Sequence, residues 1–271
     1  MPEGDTVHLT ARRLDDALSG HRLTRTDFRV PQHATADLSG QTVVTTVARG
    51  KHLLTRTDAG VTLHTHLKMD GEWRLFRAGE RWRGPDGGRP GLRRPEGPGH
   101  QVRVVLETAP WVAVGHLLGI VELLPTAREA DVVGHLGPDV LGPDWDPERA
   151  VANLGRDPAR AIGEALVDQR LIAGPGNVYK SEALFLRGIH PGTPAGEVDV
   201  AALVDLVKRL MEANRDTGRQ VTTGDLRRGQ GRWVYARDAC RRCGTPIERG
   251  MQGEAPRERV TYWCPSCQPR R

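Results

Sequence analysis

The chain has 271 residues, room for two modest domains, and it carries neither a long apolar run nor a basic-apolar leader, so it is expected to be soluble and unexported. Its four cysteines all fall within the last 32 residues, which argues against a disulfide framework spread along the chain. The net charge of +5 is uneven: residues 227–271 hold eleven Arg against four acidic residues, a local +7 that leaves −2 for the rest, as in a module that meets phosphates.

Only four lysines (Lys51, Lys68, Lys180, Lys208) stand against thirty-five arginines. Guanidinium stays protonated, so any amine chemistry must come from those lysines or from the chain terminus. The terminus reads Met1-Pro2-Glu3. An initiator Met before a small residue is normally removed, which would leave a terminal proline whose secondary amine has a pKa of about 7.7–8.0. Such an amine can attack a carbon centre and form an iminium, with the neighbouring Glu3 moving protons.

Asp5–Leu18 has Val7, Ala11, Leu14 and Leu18 at helical spacing, with Glu3 just before the helix start, where its dipole favours a carboxylate. Short β-rich runs follow at Thr42–Ala48, His52–Thr57, Val61–His66, Gln101–Glu107 and Trp111–Gly115. Between them, residues 78–100 hold seven Gly and four Pro and read as a loop. His64 and His66 share one strand face; without a third ligand they read as strand packing or substrate-side hydrogen bonding. Trp73, Trp111 and Trp233 read as core. The four prolines of Pro125–Pro147 mark an interdomain connection, and helical patterns then dominate at Pro147–Leu154, Ala159–Gln169, Asn177–Arg187 and Asp199–Asn214.

Gly174-Pro175-Gly176-Asn177 opens the third of those helices, with Asn177 suited to its N-cap. The N–H groups there could cradle a phosphate, or the segment could be an ordinary helical corner. Cys240-x2-Cys243 and, twenty residues on, Cys264-x2-Cys267 suit one tetrahedral Zn²⁺, with strands at Thr245–Ile247 and Val260–Trp263 making a hairpin. A closed four-thiolate site would be structural, holding the hairpin so that Arg259 is presented in a fixed direction.

Taken in order, Pro2-Glu3-Gly4, Arg49-Gly50-Lys51, His66-Leu67-Lys68-Met69-Asp70-Gly71, Gln169–Tyr179, Trp233–Arg237, the four cysteines and Glu258-Arg259-Val260-Thr261 resemble the formamidopyrimidine-DNA glycosylase/endonuclease VIII family over essentially the whole chain. The Pro2–Val7 opening is most similar to the actinobacterial endonuclease VIII-type branch, in which Asp5 replaces a second proline. The resemblance implies an α+β fold: an N-terminal helix plus β-sandwich domain (1–125), a linker (126–146), a helix–two-turn–helix DNA-binding domain (147–232) and a zinc finger (233–271).

It also implies a bifunctional DNA glycosylase/AP lyase of base excision repair, acting as a cytoplasmic, nucleoid-associated monomer on damaged DNA. Oxidised bases, pyrimidines in particular, would be excised through a Schiff base on Pro2, with Glu3 as general acid/base and strand cleavage by β,δ-elimination. Lys51 would assist the first elimination beside the lesion phosphate. Arg259 would hold phosphate and aid the second, Asn177 would hold phosphate, and Met69 would wedge into the stack. Ala236 and Glu258 stand where the family usually has Gly and Gln, and the 78–100 loop is longer than its counterpart. A catalytically silent DNA-damage binder on this scaffold and a zinc-ribbon transcription or RNA-binding module are the alternatives. Pro2, Glu3 and Lys51 together argue against the first, and the second leaves the β domain without purpose.

Overall fold

The computed structural model describes residues 2–78, 99–253 and 258–270. Most of the Gly- and Pro-rich 78–100 stretch therefore lies outside the described residues. The chain divides into two compact units, one gathering Met1–Pro2 with Thr10–Gly134 and the other Glu3–Leu9 with His135–Arg271. The expected linker, 126–146, contains that division at Gly134/His135, together with one short helix. Among the described residues no helix is long and apolar enough to cross a membrane.

Helix α1 (Gly4–Leu18) contributes its Thr10–Leu18 part to the first unit. Eight strands follow: β1 (Leu23–Phe28), β2 (Val43–Arg49), β3 (His52–Thr57), β4 (Val61–His66), β5 (Glu72–Arg77), β6 (Val102–Thr108), β7 (Trp111–His116) and β8 (Ile120–Pro125). They form two antiparallel four-stranded sheets, ordered β1-β6-β7-β5 and β2-β3-β4-β8. Alternation sends Leu53, Leu63 and Val121 to a buried face of the second sheet, and the Trp73 indole reaches across to Thr65 Oγ1 at 3.4 Å. Asp15 pins α1 to β2, accepting from Thr46 N at 2.6 Å and Thr45 Oγ1 at 3.0 Å. Short α2 (Ala130–Val133) closes the unit, with Glu129 before it forked by Arg56.

The second unit contains α3 (Pro147–Leu154), α4 (Ile162–Ala165), α5 (Asn177–Arg187), α6 (Val200–Asn214) and a hairpin of β9 (Glu248–Gln252) and β10 (Arg259–Trp263). Asp146 and Asp199 cap α3 and α6, accepting from Arg149 N and Ala202 N, and Gly188 ends α5 at φ +67°. Every residue of α5 from Asn177 to Phe185 is buried, so α5 is the axis about which Leu203, Val207, Met211, Ile162 and Leu166 pack.

Four expectations are corrected. The helix expected over Ala159–Gln169 shrinks to α4, because Ile162 N and Gly163 N bond to Thr193 O and Pro191 O and the Asp168 carboxylate turns the chain by taking Arg170 N. The strand expected at Thr245–Ile247 starts at Glu248 instead, since Thr245 O accepts from Cys240 N and Ile247 N donates to Asp238 O. Gly176 rather than Asn177 is the N-cap of α5. Trp73, Trp111 and Trp233 are only partly buried: Arg77 lies over Trp111 at 4.1 Å, and Trp233 stacks on Phe185 at 5.6 Å.

Candidate active site and metal centre

Glu3 is fully buried in the second unit, against the start of α5. Its Oε2 accepts from Gly176 N at 2.8 Å and Tyr179 N at 3.4 Å, and its Oε1 accepts from Val178 N at 2.7 Å. The N–H groups that the sequence offered to a phosphate are thus taken by the protein's own carboxylate, which suits the positive end of a helix dipole. Gly176 is needed for this close approach, because a Cβ there would stand 2.5 Å from the Glu3 carboxyl carbon. Gly4 N donates to Gly174 O at 2.9 Å and fixes the segment after Pro2.

Asp5, also fully buried, accepts from Tyr179 Oη at 2.8 Å. Burial raises the Asp5 carboxyl above the usual carboxylate range against that hydrogen bond, and burial together with Asp5 pushes the Tyr179 phenol far upward. This pair was missed in the sequence, where Asp5 registered only as a departure from proline.

Asn177, Lys180 and the β10 strand meet on the other side of α5. Asn177 Nδ2 donates to Val260 O at 2.6 Å, which sets it beside Arg259. Lys180, 1% exposed, donates to Thr261 Oγ1 at 2.6 Å. Burial and then the Arg259 charge pull its ammonium down to about 8. Sequence reasoning counted Lys180 among four lysines without giving it a role; its i+3 spacing from Asn177 was the available signal.

A lysine depressed in the folded state binds fewer protons folded than unfolded between pH 8 and the ordinary lysine value. The cost of burying its charge is fully present below pH 8 and is lifted as pH rises toward 10. A shift from 10.5 to about 8 is worth about 3 kcal/mol, and the lost hydrogen bond offsets about 1 kcal/mol of it. Lys180→Met is therefore expected to be about 2 kcal/mol more stable than wild type at pH 7, the gap closing toward pH 10 in urea titrations. A destabilised variant at pH 7 would contradict the assignment.

Glu182, buried on the same helix, accepts from Trp233 N, Val234 N and Tyr235 N at 2.7–2.9 Å and so anchors the segment leading to the cysteines. The four cysteine sulfurs lie within 4.8 Å of one another, with Cys240–Cys267 at 4.0 Å and Cys243–Cys264 and Cys243–Cys267 at 3.5 Å. Four thiolates 2.3 Å from one Zn²⁺ would stand about 3.8 Å apart, so the donor set fits that ion. Hydrogen bonds from Thr245 and the neighbouring thiols pull Cys243 down to about 6, whereas burial pushes Cys264 and Cys267 up: the cluster shares protons that a cation would displace.

In the first unit, Gly50 (φ +57°) and Lys51 form a two-residue turn closed by the Arg49–His52 pair, which puts Lys51 at a hairpin tip. Met69, 57% exposed, sits in the turn between β4 and β5, where Lys68 takes φ +53°. A Cβ at Gly71 would stand 2.4 Å from Leu67 O, so the turn requires glycine there. The second unit thus gathers Glu3, Asn177 and Arg259 along α5 and β10, and the first carries Lys51 and Met69 on two turns. The chain passes from the first unit to the second between Pro2 and Glu3, as it does again at Gly134/His135.

Residues 1–114 match the family model of the formamidopyrimidine-DNA glycosylase N-terminal domain, and residues 136–223 match that of the formamidopyrimidine-DNA glycosylase H2TH domain. The chain is 55% identical to a probable endonuclease 8 2 of Streptomyces coelicolor, over 99% of this chain and 94% of that one. It is 46% identical to a DNA-(apurinic or apyrimidinic site) lyase of Mycolicibacterium smegmatis, over 99% of each. A solved Lactococcus lactis formamidopyrimidine-DNA glycosylase on abasic-site DNA shares the fold, with TM-score 0.77 at 22% identity over 99% of this chain and 100% of that one.

Proposed function

The chain belongs to the formamidopyrimidine-DNA glycosylase/endonuclease VIII family of DNA-repair glycosylase/AP lyases, and from that premise we propose that it excises oxidised bases, pyrimidines foremost, through a covalent intermediate on Pro2. The observation that carries the reading is the Glu3 carboxylate, buried and held at both oxygens by the α5 N-terminus one residue from Pro2. A carboxylate so fixed cannot rotate away.

The target sugar is out of reach in stacked DNA, so the nucleotide is flipped at a cost of a few kcal/mol. Met69 fills the gap as an apolar wedge, and Arg259, Asn177 and Lys51 meet backbone phosphates. Asn177 has one Nδ2 hydrogen committed to Val260 O and donates the other. The Pro2 ammonium gives one proton to the Glu3 carboxylate and the freed amine attacks C1′; its remaining N–H proton leaves with the base, and Glu3 passes the proton it took to the ring oxygen as the sugar opens. The resulting iminium acidifies C2′–H, and the 3′ phosphate and then the 5′ phosphate are eliminated, with Lys51 and Arg259 assisting. Cys240, Cys243, Cys264 and Cys267 would hold one Zn²⁺, whose contribution is to rigidify the β9–β10 hairpin. The protein works as a monomer in the cytoplasm, on nucleoid DNA.

Borohydride trapping on abasic-site DNA tests this reading. One reduced adduct, mapped to Pro2 by peptide mass spectrometry, is expected. An adduct on Lys51 or Lys68, or none from an enzyme that cleaves, would overturn it.

A further inference from the structure

One buried cation has no part in that chemistry. Lys180, early in α5, is 1% exposed and spends its ammonium on a hydroxyl, donating from Nζ to Thr261 Oγ1 of β10 at 2.6 Å. Burial and the Arg259 guanidinium oppose its charge more strongly than Glu3 and Glu164 favour it. The side chain therefore costs its unit stability at neutral pH. A group kept against the stability of the fold points to what it does for a neighbour.

The donors dictate a hydrogen-bond chain of one direction. An ammonium only donates, so Thr261 Oγ1 accepts from Lys180 and gives its single hydrogen to Gln252 Oε1 at 3.2 Å. Gln252, its oxygen so occupied, turns Nε2 to Pro191 O at 2.8 Å. The chain runs from α5 through β10 and β9 to the loop that follows α5. Gly163 of α4 makes room for it: a Cβ there would stand 2.5 Å from Gln252 Oε1, and Gly163 N joins Gln252 on Pro191 O at 3.0 Å. Thr261, the middle of the chain, is 2% exposed, so these bonds form in a setting where each is strengthened.

Arg259 stands between two members of that chain. Gln252 is its direct partner across the β9–β10 ladder, and Thr261 lies two residues on in β10, on the same face of the strand. The Lys180 ammonium, close enough to feel the guanidinium, repels it away from α5 and toward solvent. We propose that Lys180, acting through Thr261 and Gln252, positions Arg259 for the second elimination. The proposal rests on the reading in which Arg259 assists that step. There a proton leaves C4′ for water, and its electron pair neutralises the conjugated iminium as a dienamine. The bond from C5′ to the 5′ phosphate then breaks, the oxygen keeping its pair as the iminium re-forms. Lys180, Thr261 and Gln252 touch none of the reacting atoms; they are positioning residues.

The test compares wild type with Lys180→Met, Thr261→Val, Arg259→Ala and the Lys180→Met/Arg259→Ala double variant, each checked to keep one Zn²⁺ per chain. Single-turnover cleavage of abasic-site DNA is resolved into the unsaturated aldehyde left by the first elimination and the 3′ phosphate left by the second. Lys180→Met and Thr261→Val are expected to trap with borohydride and to complete the first elimination as wild type, but to form the 3′ phosphate roughly 10-fold more slowly. Stability cannot account for that shared loss, since Lys180→Met should be more stable than wild type and Thr261→Val, which strands the ammonium, less. In Arg259→Ala the second elimination is already slow, and adding Lys180→Met should slow it no further.

A wild-type second elimination in Lys180→Met, or a loss of the same size when Arg259 is absent, would overturn the proposal. Without DNA, ¹⁵N relaxation at Arg259 Nε should report lower order in Lys180→Met than in wild type, and equal order refutes the positioning directly. If wild type forms no 3′ phosphate, or Arg259→Ala forms it at the wild-type rate, the part of Arg259 in the reaction has failed, and the relaxation comparison decides the positioning by itself.

Discussion

Glu3→Gln is expected to lower base excision by about 10³-fold, within the range for a positioned general acid/base, while the protein still folds. The substitution keeps the shape but exchanges one accepting oxygen for an NH₂ group. Both carboxylate oxygens now accept, Oε2 from Gly176 and Tyr179 and Oε1 from Val178. Whichever way the amide lies, an NH₂ faces a backbone N–H, which costs about 1–3 kcal/mol in a buried site. A lower Tm should therefore accompany the lost activity. Stability and chemistry separate in one comparison. Excision of a damaged base needs Glu3, whereas cleavage at a preformed abasic site needs chiefly the Pro2 amine and should fall much less. Pro2→Gly should depress both, because a proline iminium has no N–H to lose and stays charged at every pH, whereas a glycine imine can deprotonate and stall. Gly176→Ala should resemble Glu3→Gln, since its Cβ would stand 2.5 Å from the Glu3 carboxyl carbon. Undiminished excision by Glu3→Gln would remove Glu3 from the mechanism.

What could be read in the sequence follows burial. The interior strands β3, β4, β6 and β7 were found within a residue or so at each end, because each carries a run of three or four consecutive buried residues, mostly apolar or threonine, between turn residues. The three strands that escaped notice, β1, β5 and β8, are all edge strands. Leu23-Thr-Arg-Thr-Asp-Phe28 and Glu72-Trp-Arg-Leu-Phe-Arg77 carry the charges that an edge tolerates and that hide its alternation.

Motifs gave the candidate site residues, but their partners could be found only in three dimensions. Glu3 and Gly176 lie 173 positions apart, and Lys180 and Thr261 lie 81 apart. No periodicity reports pairings at such separations. The choice between a phosphate cradle and an ordinary helical corner at Gly174–Asn177 stayed open for the same reason: the helix start was visible, but the carboxylate that takes its N–H groups comes from the other end of the chain. His64 and His66 were noticed as a pair on one face; the side chains that His64 meets, His52 at 2.7 Å and Glu122 at 2.9 Å, sit on adjacent strands whose register cannot be read from one strand alone.

Cys264→Ser is expected to abolish metal retention and to weaken binding to damaged DNA by about 10- to 100-fold at moderate salt, through lost phosphate contacts. Cys264 is fully buried and packs with Phe185, Val234 and Cys240, so the knuckle belongs to the core of its unit. The β9–β10 hairpin itself is a two-stranded sheet, marginal alone. Four thiolates closing on one cation would supply the missing stability, and chelation should then do to wild type what the substitution does. Loosening the hairpin breaks two buried links at once, Asn177 Nδ2 to Val260 O and Lys180 Nζ to Thr261 Oγ1. Arg259 lies on β10 beside both, so it loses its fixed direction without being mutated. The signature lies in the salt dependence, since each phosphate contact removed should flatten the slope of log K against log salt by about 0.9. Arg259→Ala gives the matched control, keeping one Zn²⁺ per chain by elemental analysis while flattening the slope by a similar amount. If Cys264→Ser loses its metal but binds with the wild-type slope, the hairpin is a stability device alone and Arg259 does not touch phosphate.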